Sequence, residues 1–422
     1  MRRRTALLGG ALAATLVLSA CGSGGGEGDG GGADSQSGEL TVWIMDPGNP
    51  EVQKIIDDTG KAFESENEGV TVSIEYVPWP SAHDQFVTSI GGGQVPDLAE
   101  MGTTWTPEFA ALGAFTPIDE SGDAEYVESL IESGTVDGTA YGYPWYAGAR
   151  SLIYRTDVLE KAKVEPPKTW EEILSVGQAI EDSGQDIAPI HVAGDYVHML
   201  APLIWGAGGD VAVQEGDTWE ATVDSEAGRQ AFEFYSQLWE TGWTPKGGVQ
   251  WTSVDIRDAF ANGQSAMMIG GGWDLAGILG ANPDLEGKLG TVLMPAGPAG
   301  NQDAFAGGSH LTVFEGSDNK ELAHEFAQFM LQPEHLTKFT EQIGFLPGTV
   351  EGVEESVGDD ELYGTFATQL VEHSRSYPPA PWWGKVEGDR SFQNEIQKVM
   401  QGQQSPEEAA ANVDQAISSA IG

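Results

Sequence analysis

Apolar residues along this chain alternate between two rhythms. Leu40-Thr41-Val42-Trp43-Ile44 is a short β-rich run. Asn49 followed by Pro50 opens a helix, and Val52, Ile55, Ile56, Thr59 and Phe63 then recur on one face. From Val70 to Val77 the period drops to two, with Val72, Ile74 and Tyr76 on one side. Strand, helix, strand in this order predicts a βαβ unit and hence a parallel sheet. Later segments repeat the alternation. Thr169-Trp170-Glu171-Glu172 fits a capping box. Ala231, Tyr235, Leu238 and Trp239 form a stripe with Gly242 as its stop. Leu322, Phe326, Phe329 and Met330 form another, halted before Pro333. Strand-like runs at 266–269 and 311–314 lie among them. No fixed-period repeat is present. The pattern reads as α/β, and 422 residues are too many for one compact core and suit two lobes.

The first 20 residues stand apart as a secretory leader. Arg2, Arg3 and Arg4 precede an apolar stretch at 6–18, shorter than the roughly 20 residues a bilayer span needs. The stretch ends in Leu18-Ser19-Ala20-Cys21, which resembles the lipoprotein box of bacteria, and Cys21 is the only cysteine in the chain. That resemblance implies acyl chains on Cys21, and two chains anchor firmly where one is marginal. A lone cysteine also excludes an intrachain disulfide and a cysteine-ligated zinc. Residues 21–38 then carry the anchor and a tether, with nine glycines among the 17 residues of 22–38. Gly26, Gly28 and Gly31 match a dinucleotide fingerprint, but without a strand before or a helix after them the match is empty.

Charge removes further classes. The formal net charge is −45, and loss of the three leader arginines takes it to −48. Phosphate-backbone binding needs a basic face, so a nucleic-acid partner is excluded. The same excess disfavours anionic ligands. No Gly-x-Ser-x-Gly elbow and no Gly-Lys-Ser/Thr phosphate loop occurs. His324-Glu325-Phe326-Ala327-Gln328 misses a zinc-protease helix by its last ligand. No metal site and no cofactor is expected.

Several ordered phrases carry a resemblance. They are Val95-Pro96-Asp97-Leu98, Leu112-Gly113-Ala114-Phe115-Thr116-Pro117-Ile118, Tyr143-Pro144-Trp145-Tyr146 running into Ser151-Leu152-Ile153-Tyr154, Pro167-Lys168-Thr169-Trp170-Glu171-Glu172, Ser265-Ala266-Met267-Met268-Ile269 ending in Gly272-Trp273, Asn319-Lys320-Glu321-Leu322-Ala323 and Gly344-Phe345-Leu346-Pro347. Together they resemble the extracellular solute-binding proteins of ABC importers, the family that includes the maltose-binding proteins. The resemblance implies a periplasmic-binding-protein-like fold: two α/β lobes joined by a hinge, with the ligand cleft between. Lobe one is placed at 39–147 with 305–350, lobe two at 148–304 with 351–422. Together with the lipoprotein box it implies a lipid-anchored, monomeric protein on the outer face of the cytoplasmic membrane, and the Gly-rich tether and acidic body look like those of a Gram-positive export. Such a protein captures a neutral di- or oligosaccharide by hinge closure and delivers it to the permease subunits, without catalysis. The alternatives are a polyol or glycerol phosphodiester on the same fold, or a surface glycoside hydrolase.

A sugar has flat C–H faces and a belt of hydroxyls, which suit aromatic rings and planar polar groups respectively. The family motifs point to such residues. Glu100, Thr104 and Trp105 follow Pro96-Asp97, and the maltose binders have an Asp–Arg pair where Thr104-Trp105 stands. Trp145 and Tyr146 lie at the lobe crossing; Gly148 replaces a family Glu, and Arg150 supplies donors two residues on. Tyr196 and His198 match a cleft-facing stretch. Trp273 aligns with a stacking Trp, with Asp274 beside it. Gly308 and Ser309 mark the second crossing. Trp382 and Trp383 match the C-terminal stacking region, where tandem placement on a helix turns only one toward the cleft. Trp43 is a secondary candidate near a strand end, with Asp46, Trp79 and Gln85. Trp170, Trp219 and Trp239 read as structural.

Overall fold

The structure is a computed structural model that describes residues 38–422 apart from 119–124, 217 and 358–359. The leader, Cys21 and the tether up to residue 37 lie outside the described residues.

The opening βαβ unit forms as the hydrophobic pattern requires. Strand Gly38–Met45 pairs in parallel with Val70–Val77 along its whole length, and helix Pro50–Glu66 connects them. The Asn49 side chain accepts the Glu51 N–H at 2.9 Å, with Pro50 in the first turn. Val70–Val77 is the sheet edge, which explains its alternation of exposed and half-buried positions. From the other edge the six-stranded sheet runs Leu346–Pro347, Tyr143–Gly148, Gly307–Val313, Leu98–Gly102, Gly38–Met45, Val70–Val77. Leu40, Val42 and Ile44 pack on one face with Phe63, Phe326 and Phe329. Met101, Phe86, Phe109 and Phe314 pack on the other. Both faces are therefore covered, as a sheet with parallel crossovers demands.

A four-stranded sheet runs Leu289–Val292, Arg150–Arg155, Ser265–Gly271, Ala188–Ile190 and organises the second lobe. Trp205, Phe232, Tyr235, Phe260 and Met267 are fully buried in its core. Helix Trp170–Asp182 begins at Thr169, whose hydroxyl accepts the Glu172 N–H. The Glu172 carboxylate accepts the N–H of Lys168 rather than that of Thr169, so the reciprocal half of the box is displaced by one residue. Helix Glu226–Glu240 stops just before Gly242, whose φ of 76° only glycine adopts without cost.

The chain passes between the two sheets at Ala149, which separates Tyr143–Gly148 from Arg150–Arg155. It returns at Ala306, after Ala304–Phe305 has paired in parallel with Ser374–Arg375. It leaves the first sheet again beyond Pro347, where helices Val350–Val357 and Glu361–Glu372 bury Val353 and Phe366 in the second core. Two α/β lobes joined by crossing strands result.

Candidate functional site

Strand Gly38–Met45 lies between Val70–Val77 and Leu98–Gly102, so the chain leaves its end toward one neighbour and later returns to the other. Such a switch point opens a crevice beyond the carboxyl ends of the strands. Asp46 and Pro47 follow one of these ends, and Thr103, Thr104 and Trp105 follow the other. They face a cleft whose far wall carries Arg150, His198, Trp273 and Glu387 from the second lobe. The cleft has two chambers, of about 550 Å³ and about 460 Å³, which share Trp79, His198, Phe305, Gly307 and Gly308.

Glu100 is on the wall of the larger chamber and is 1% exposed. Its Oε1 accepts the hydroxyls of Tyr146 at 2.5 Å and Ser309 at 2.7 Å, and its Oε2 accepts the Met45 N–H at 2.8 Å. One carboxylate thus joins four neighbouring strands. Burial pushes its pKa up to about 7, while the two hydroxyls and the N–H oppose that rise. Arg150 donates from Nε to the Tyr196 hydroxyl at 2.9 Å. Its guanidinium lies 5.5 Å from the Tyr196 ring centre and 5.1 Å from that of Trp273. Among the described residues no carboxylate pairs with it, so its terminal nitrogens keep donors for a guest.

Trp273 is already engaged. Phe345 stacks on it at 4.7 Å and 13°, and Arg150 lies over it. A Cβ on Gly148 or Gly271 would meet the indole at 2.3 or 2.2 Å, which explains glycine at both positions. In the smaller chamber the free aromatic surface belongs to Trp79, which is 39% exposed and sits 5.5 Å from Trp105. His83 packs edge-on against Trp105 and meets Glu108 at 3.0 Å, a contact that raises its pKa. Burial raises the carboxyl of Glu387 on the opposite side. His198 stacks on Phe305 at 4.5 Å and contacts the Tyr377 hydroxyl at 2.9 Å. Burial holds it well below the usual imidazole range, so it is neutral.

Nine of the expected residues line these chambers: Glu100, Thr104, Trp105, Tyr146, Arg150, His198, Trp273, Gly308 and Ser309. The others lie elsewhere, each for a visible reason. Trp145 is buried and stacks on Phe339 at 4.6 Å and 1°. Trp43 packs on Phe86. Tyr196 is behind Arg150 and bonds to it. The Asp274 carboxylate accepts the Gly271 N–H at 3.0 Å and caps its own helix. Neither tandem Trp lines these two chambers: Trp383 stacks on Tyr377, and Trp382 meets Trp219 in a wider groove of about 1540 Å³ that is also walled by both lobes, by Ile131 and Val136 on one side and Trp219 and Trp382 on the other. Trp79 and Asp46, secondary in the sequence, are on the wall. His83, Phe305, Phe345 and Glu387 join the wall without a sequence signal of their own, except that Phe345 belongs to Gly344-Phe345-Leu346-Pro347.

Two lobes linked by crossing strands, with a cleft walled by both and no span-length apolar helix among the described residues, define a hinged binding protein. The chain belongs to the bacterial extracellular solute-binding protein family, whose model matches residues 47–336. It is similar to the diacetylchitobiose binding protein DasA of Streptomyces coelicolor, with 28% identity over 394 residues covering 90% of each chain. The solved sugar-binding protein MalE of Xanthomonas citri superposes with a TM-score of 0.81 at 26% identity, covering 91% of this chain and 97% of that one. The GacH receptor of Streptomyces glaucescens, solved unliganded and with acarbose, superposes at 0.78 and 26% identity, covering 92% and 99%.

Proposed function

We propose that this protein is the substrate-binding component of a carbohydrate ABC importer, taking up a di- or oligosaccharide in the two-chambered cleft and presenting it to a membrane permease. The observation that carries the reading is the make-up of the cleft: the indoles of Trp79 and Trp105 beside a small set of fixed polar groups, Glu100, Ser309 and Arg150. Apolar ring faces with few converging polar groups suit a sugar. Relatives that bind diacetylchitobiose and maltooligosaccharides support it. Arg150 and the indoles come from different lobes, so a guest touching both favours the closed form. Lipidation at Cys21 would hold the protein as a monomer at the outer face of a Gram-positive membrane, beside its permease. No catalysis is proposed, because a binding protein hands its ligand on unchanged.

The test is a thermal-shift and calorimetric panel of chitooligosaccharides, maltooligosaccharides, arabinooligosaccharides, polyols and glycerol phosphodiesters. A saturable shift with an oligosaccharide, recovered intact by chromatography, is expected. At 100 times Kd the gain is about 2.7 kcal/mol. Binding of a polyol or phosphodiester alone, or turnover of the sugar, would reject the reading.

A further inference from the structure

We infer that Glu100 is a specificity-determining residue: by taking the hydroxyl protons of both Tyr146 and Ser309, it turns the floor of the larger chamber into an acceptor-only surface. The part of the ligand seated there must therefore be a hydrogen-bond donor, a free hydroxyl or N–H and not an ether, ester or carbonyl oxygen. The inference rests on the carbohydrate reading for the ligand's general class and on the geometry for the rest.

A hydroxyl has one proton and two lone pairs. The Tyr146 and Ser309 protons both go to Oε1, and the two oxygens lie 3.2 Å apart with no further proton to share. Oε2 holds only the Met45 N–H. The lone pairs that remain are on Oε2, Tyr146 and Ser309, and all three residues line the chamber. A carbonyl or ether placed against them would leave buried acceptors facing an acceptor, the arrangement that costs most.

Protonation of Glu100 undoes the pattern. A carboxylic acid donates to one of its two hydroxyl partners and frees that hydroxyl to point its own proton at the guest. The other groups facing Glu100 do not supply the change. His198 is neutral, and burial and the adjacent Glu100 charge raise the Tyr146 hydroxyl well above its usual range. Asp46 across the chamber is held by the Gly48 N–H and Gln53, Arg150 is held by Tyr196 and Trp273, and His310 turns away to Thr106 and Leu130. Because the Glu100 carboxyl titrates at about 7, affinity falls as the pH is lowered through that value, approaching tenfold per unit below it.

Calorimetry with N,N′-diacetylchitobiose and maltotriose from about pH 5.5 to about pH 8.5 tests this. The sugar that binds is expected to lose about thirtyfold in affinity between the ends of the range. Glu100→Gln should bind weakly with a flat profile, and a derivative methylated at the seated hydroxyl should not bind to the wild type. Wild-type affinity that is constant with pH, or Glu100→Gln that reproduces the wild-type profile, overturns the inference. Infrared titration of the ligand-free protein decides the case separately. A protonated-carboxyl band is expected that Glu100→Gln lacks, and Tyr146→Phe and Ser309→Ala should each move it to higher pH. A band unmoved by both variants rejects the hydroxyl arrangement even when a sugar binds. Failure of every sugar to bind, with the band behaving as expected, rejects the carbohydrate reading alone.

Discussion

Glu100→Gln also tests how this fold carries a buried carboxylate. The folded pKa is raised from 4.5 to about 7 by burial. A raised carboxyl binds more protons folded than unfolded between those values, so its contribution to stability is present below about pH 4.5 and is lost as the pH rises through about 7. At 1.36 kcal/mol per unit the change is about 3 kcal/mol. Glutamine has nearly the same shape and does not titrate, and the many surface carboxylates act alike in both proteins. The difference in urea-unfolding free energy between wild type and variant, taken from about pH 4.5 to about pH 8, therefore isolates Glu100. The wild type should lose about 3 kcal/mol relative to the variant over that range. A difference that stays level would refute the reasoning, because it would mean that Glu100 is ionised throughout and that its burial costs nothing.

Trp79→Ala removes an exposed indole from the smaller chamber and should weaken sugar binding by about 1–3 kcal/mol in calorimetry with little change in Tm. Trp145→Ala empties a buried stack on Phe339 and should cost about 3–5 kcal/mol of stability in denaturant titration. Gly148→Ala drives a methyl into the Trp273 ring and should cost about 1–3 kcal/mol, read as a lowered Tm. Cys21→Ser should move the protein from the membrane fraction to the medium, as seen by blotting fractionated cells.

The opening βαβ unit, the helix starts at Asn49 and Thr169 and the alternating-element character were readable because each is local: a period, a cap or a turn residue suffices. Residues of the cleft wall were readable where family phrases fell near strand ends, as with Glu100, Trp105, Arg150 and Ser309. Aromatic residues defeated the same reading. Trp145, Trp383 and Trp79 are chemically alike, yet one is stacked on Phe339, one on Tyr377 and one is left bare in the cleft.

The sequence by itself determined the order of the elements, since these depend on patterns within a few tens of residues, and its length and family phrases pointed to two lobes. Only the tertiary structure decided which rings face the cleft, and it alone brought Met45, Glu100, Tyr146 and Ser309 into one hydrogen-bonded cluster. The first and last of these are more than 200 positions apart along the chain, and only the order of strands in the sheet makes them neighbours. Burial then sets the carboxyl's pKa, because it depends on the surrounding dielectric and on the donors at hand, neither of which is written next to the residue.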